Sequence, residues 1–132
     1  MQKIIEEWGP LVGRILLALI FLFAGIGKIS NFSGTAGYMA MHHVPLTHLA
    51  LVLTIIIEIG GSLMLILGWK ARWAAGIMFL WLIPVTLMMH DFWTMTGAAH
   101  QTNFIMFMKN LCIMGAMLMV MAHGPGPKSL DK

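Results

Sequence analysis

Four apolar runs, separated by short polar breaks, dominate the chain. They cover about 10–29, 47–67, 73–90 and 104–122. Each is close to the roughly 20 residues a helix needs to cross a bilayer. Lipid offers no partner to a free backbone N–H or C=O, so runs of this length are predicted as helices rather than open strands. Pro10 suits the first turn of the first helix, and Pro84 marks a kink in the third. Between the runs, 30–46 reads as a longer loop with Asn31, Gly34, Gly37 and Pro45. Residues 68–72 read as a tight link, 91–103 as a medium loop, and the Pro/Gly-rich tail from Gly124 as extended. No fixed-period repeat or long linker divides the chain, so the expectation is one domain over 1–132: an all-α, integral membrane four-helix bundle.

Composition strengthens this reading. Of 132 residues, 59% are hydrophobic and 10% charged, with a mean hydropathy of +0.86. A soluble domain is nearer 45–50% apolar and about 25% charged. The net charge of +3 contains no basic run, so it does not imply a nucleic-acid partner. The basic residues instead report topology. Lys3, Arg14, Lys70, Arg72, Lys128 and Lys132 fall on the side of the termini; only Lys28 and Lys109 fall toward the other. Both termini are therefore expected in the cytoplasm. Trp8, Trp69 and Trp73 would form one interfacial belt, with Tyr38 and Trp93 in the other. Glu6 and Glu7 before the first run, and no small-x-small site after it, argue against a cleaved signal.

The residues that hydrocarbon should reject carry the chemistry. A charge at mid-bilayer costs at least about 2.5–3.5 kcal/mol on insertion scales, so such residues should face the bundle interior and be paired. Glu58 lies near the middle of the second run, and Gly60 and Gly61 after it permit close helix approach. By depth its partner is expected to be Arg14 or Lys109, each within roughly 10 Å along the helix axes. Lys28, His90 with Asp91, and Lys109 with Asn110 form a second polar group toward the other face. One reading makes these structural ion pairs that fix helix register. The other makes Arg14, Lys28, Glu58, His90, Lys109 and Asn110 the lining of a ligand pocket for a small polar or quinone-like head group.

Other candidates are weaker. His42, His43, His48, His90 and His100, with several methionines nearby, have types that suit copper(I), but they lack ligand spacing, and no metal site is expected. Met114, Met117 and Met121 share one helical face and read as packing or lipid contact. Trp81 reads as core. Cys112, the one cysteine, reads as an inert buried thiol and excludes a self-contained dithiol relay.

The segments GRILLALIFLFAGIGKISNFSGTAGYMA, EIGGSLMLILGWKAR, HDFW, FMKN and GPGPKSLD, in this order, resemble the DoxX family of small bacterial membrane proteins over essentially the whole chain. The matching positions are Arg14 and Lys28, then Glu58, Gly61 and Arg72, then His90, then Lys109 and Asn110. The resemblance implies a four-helix protein of the bacterial inner membrane, associated with quinol-oxidase or sulfur-linked redox systems. It implies an accessory, quinone-interacting subunit rather than a stand-alone enzyme, with no covalent cofactor. The lipid bilayer, a redox partner protein or a second copy of the chain would be its partners. The alternatives are a binding or transport protein for a small solute and a membrane scaffold. The single cysteine and the lack of an evident haem or metal ligand set depart from the redox relatives and put direct electron transfer in doubt.

Overall fold

The computed structural model describes residues 1–131. It is all-helical: α1 (Gln2–Ser30), α2 (Phe32–Met41), α3 (Thr47–Leu67), α4 (Ala71–Met89), a short 3₁₀ turn (Phe92–Thr94) and α5 (Gly97–His123). Among the described residues, α1, α3, α4 with its following turn, and α5 are long and apolar enough to cross a membrane. The α3 run has the bounds its sequence pattern predicts, and α4 runs unbroken through Pro84.

Three boundaries differ from the pattern. The first helix starts at Gln2, so Pro10 sits inside it rather than in its first turn. The added turns are polar on one side, with Gln2 bonding Glu6 at 3.0 Å, and the tail braces them. Lys128 Nζ lies 3.2 Å from Glu7 Oε1 and 4.7 Å from the centre of a Trp8 ring. The predicted 30–46 loop contains α2. Its Phe32, Ala36 and Met39 recur at helical spacing and pack on Ala50, Leu51, Ile55 and Met89, and that burial outweighs the low propensity of Gly34 and Gly37. The last helix begins at Gly97, within the predicted loop, where Phe92 packs edge-on against His100, Phe104 and Phe107.

α1 packs on α3, α3 on α4, and α4 on α5. Small residues set these crossings, as van der Waals contact rather than hydrophobic force holds helices together in lipid. A methyl group on Gly25 would come 2.6 Å from Ile59 Cγ1 and 3.3 Å from Glu58 Cβ. Ala18, Leu65, Ala75, Met78 and Met117 form a fully buried core. Large apolar side chains such as Leu16, Phe23, Ile56, Leu80 and Leu118 cover the outside, as a lipid-facing surface requires. α1 and α5 have no comparable contact and instead face each other across a groove.

The tail is docked, not extended. Leu130 and Asp131 donate their amides to the carbonyls of Leu67 and Gly68 at 3.0 and 2.8 Å. Gly68 closes α3 in the left-handed region (φ 68°), and a side chain there would collide with Ser129 and Arg14. Asp131 caps α4: Lys70 and Ala71 donate their amides to its Oδ1 and Oδ2 at 2.7 and 2.9 Å. Those two bonds hold the Asp131 carboxyl below its ordinary range. A depressed carboxylate contributes stability that is complete above its unfolded pKa of about 4 and is lost as pH falls through the folded value. Asp131→Asn is therefore expected to lower the melting temperature at neutral pH and to flatten the loss of stability below about pH 4, read by thermal unfolding across a pH series.

Candidate functional site

At the end of the bundle away from the termini, α1 through α5 enclose a cavity of about 470 Å³, the size of a small-molecule site. Four polar residues picked from the sequence line it: Lys28, Glu58, His90 and Asn110. Asn31, Thr35 and Tyr38 add polar groups from the α1–α2 corner, and Ile20, Phe21, Trp81, Leu82 and Ile113 are among its apolar walls.

Glu58 is 3% exposed, and the cation beside it is Lys28. Lys28 Nζ lies 2.8 Å from Glu58 Oε1. This corrects the expected pairing with Arg14 or Lys109. At that distance the ammonium is the partner of the buried Oε1, which has no other among the described residues. The close crossing at Gly25 explains the partner: it turns the Glu58 face of α3 toward the last turns of α1, where Lys28 stands.

The surrounding polar groups are held in place. Asn110 Nδ2 donates to Thr86 Oγ1 at 3.1 Å, and Trp81 Nε1 donates to Thr54 Oγ1 at 3.2 Å. Both hydroxyls are buried. His90 Nδ1 lies 3.1 Å from Asn103 Oδ1. An amide oxygen only accepts, so Nδ1 carries the proton and Nε2 is left for another partner. Trp81 was expected in the core; it packs edge-on against Phe21 at 6.1 Å between ring centres and forms part of the cavity wall.

The two remaining candidates lie elsewhere. Lys109 is exposed on α5 and does not line the cavity. Neighbours on a helix point about 100° apart, so Asn110 faces inward at its expense. Arg14 is 3% exposed but belongs to the opposite end, where it donates to the carbonyls of Leu65, Ile66 and Lys128 at 3.1, 3.4 and 2.8 Å. Asp91 stands outside the cavity lining too, with Oδ1 3.7 Å from His42 Nδ1. Cys112 is exposed on α5, contrary to the expected buried thiol. Tyr38 and Thr35 were missed as cavity residues because their segment read as loop; the spacing of Phe32, Ala36 and Met39 was the available signal.

The DoxX family profile matches residues 9–91. The chain is similar to the inner membrane protein YphA of Escherichia coli, with 35% identity over 92% of this chain and 87% of that one. It is similar to the inner membrane protein YqjF of the same organism, with 37% identity over 99% and 95%. A Surfeit locus protein 4 homolog of Drosophila melanogaster shares 28% identity over 92% of this chain and 53% of its own. No solved structure matches. The family profile spans α1, α3 and α4, and with them Lys28, Glu58 and His90. The helices, the intramembrane charges and these relatives agree: the chain is an integral membrane protein of the DoxX family.

Proposed function

We propose that the chain is the quinone-interacting membrane subunit of a redox system and that the cavity beside Lys28 and Glu58 takes the quinone or quinol ring. The observation that carries this reading is the buried Lys28–Glu58 ion pair, whose Oε1 has no other partner among the described residues, in the lining of a cavity of fitting size. A quinol hydroxyl can donate to Oε1, and a quinone carbonyl can accept from Lys28 Nζ. His90 Nε2 supplies a further polar partner, and Glu58 can receive or return the proton that accompanies reduction. The cation and carboxylate cancel, which favours an uncharged head group over a fatty acid or phospholipid. The mostly apolar walls suit a ring better than a hydrated solute.

One cysteine provides no internal dithiol, so electrons would pass to and from a partner subunit. The relatives' location supports an inner-membrane protein, and the distribution of Lys and Arg supports both termini in the cytoplasm. The cavity then lies in the periplasmic half of the membrane.

Native mass spectrometry of protein gently extracted from its own membrane tests the reading. A retained molecule of quinone mass is expected. Glu58→Gln should weaken its retention at least about tenfold, about 1.4 kcal/mol, while Lys109→Met leaves it unchanged. An empty wild-type protein, or equal loss in both variants, would overturn the assignment.

A further inference from the structure

We propose that the groove between α1 and α5 is the lateral access route and the resting place for the apolar tail of the ligand whose head lies beside Lys28 and Glu58. This rests on the reading of the cavity as a head-group site.

The groove lies in line with the cavity along the same two helix faces. On α1 the cavity-lining positions Ile20, Ala24, Gly27 and Lys28 are followed, toward the terminal end, by Pro10, Gly13 and Leu17 along the groove. On α5 Met106, Asn110 and Ile113 are followed by Ala116, Val120 and His123. Apart from adjacent Gly27 and Lys28, the steps are three or four residues, so each set is one stripe on its helix. From Lys28 to Pro10 the stripe is about 27 Å long at 1.5 Å per residue, close to the roughly 30 Å hydrocarbon thickness of a bilayer.

Small residues facing one another in lipid normally bring two helices together. Here they do not. Gly13, Ala24, Gly27 and Ala116 line the opening, and a methyl group added at Gly13 or Gly27 would meet nothing within 4 Å. Ala18 of α1 and Met117 of α5 are fully buried in the same core. The space along the lower groove is about 410 Å³. That volume is too small for a further helix, which is about 10–12 Å across with its side chains, and it suits a single flexible chain. A charge-balanced pair in a cavity that lies in line with an apolar groove matches an uncharged head on one long tail. Such a molecule is dissolved in the membrane and arrives from the side, not through water.

Ligand affinity in nanodiscs, corrected for partition into lipid, tests this with a tail-less benzoquinone ring and the same ring carrying a decyl chain. The wild type is expected to bind the decyl form about tenfold more tightly. Gly13→Phe and Ala116→Phe should each remove that advantage and leave the tail-less ring unaffected. Gly13 sits in open space within a helix, where losing a glycine favours folding, so Gly13→Phe should remain folded. A decyl advantage that survives both substitutions would overturn the groove and leave the head site standing. If neither ring binds the wild type, the head-group reading falls. The groove is then decided by a decyl-chain photolabel with a neutral glycerol head. Adducts concentrated on Gly13, Leu17, Ala116 and Val120, and lost in Gly13→Phe, sustain it; adducts spread over the outward faces of all the spanning helices overturn it.

Discussion

Lys28→Met is expected to destabilise the bundle by about 3–5 kcal/mol, the cost of leaving a buried charge without its partner. Glu58 is 3% exposed, and the Lys28 ammonium 2.8 Å from its Oε1 is its compensation. The reverse substitution should be milder. Lys28 stands near the end of α1 with its side chain 26% exposed, so in Glu58→Gln it can extend toward the head-group region. The double variant Lys28→Met with Glu58→Gln removes both charges and should recover most of the wild-type stability, since an apolar replacement for a buried pair is often neutral. Ligand retention should not recover, because the groups assigned to the ring are gone. Denaturant unfolding of the three variants, with native mass spectrometry of each, reads both effects. Equal destabilisation by the two single substitutions would refute the asymmetry. A stable double variant that still retains its ligand would remove Lys28 and Glu58 from the binding site.

At the other end, Arg14→Met should cost about 1.5–3 kcal/mol, the range for hydrogen bonds to a charged group, and release the tail. The guanidinium bonds the carbonyls of Leu65 and Ile66 in the last turn of α3, where helix carbonyls lack intrahelical partners. It also bonds the Lys128 carbonyl and, through Nε, that of Pro10 at 3.3 Å. One side chain thus ties α1, α3 and the tail together, with its positive charge at the negative end of the α3 dipole. Arg14→Lys should rescue only part, since an ammonium lacks the planar fork that reaches several carbonyls at once. Hydrogen exchange over 124–131 should show protection lost in Arg14→Met, while binding of a tail-less quinone ring at the far cavity stays unchanged. Protection that persists would show that Asp131 and the Leu67 and Gly68 carbonyls hold the tail without Arg14.

The sequence by itself determined what the solvent demands. Hydrocarbon accepts only helices of a certain length with few charges, so the four spans, including the bounds of α3, were legible from hydropathy. It also marked the misfits. Lys28, Glu58, His90 and Asn110 stand out because an apolar medium rejects them unless something inside the bundle receives them.

Depth along a helix, however, is not direction around it. Arg14, Lys28 and Lys109 were all within reach of Glu58 by axial distance, and only the packing of α1 on α3 at Gly25 brings Lys28 to it. The same limit applies on α5, where adjacent Lys109 and Asn110 look alike in sequence but only Asn110 lines the cavity. Segments with weak local preference were equally undecided until they met a surface. α2 gains its helix from burial against α3, and the Pro/Gly-rich tail gains its position from carbonyls and amides at the α3–α4 turn. The groove between α1 and α5 follows from helix placement alone. Tertiary packing decides partners, enclosed faces and openings, because each depends on which side of one helix another helix touches.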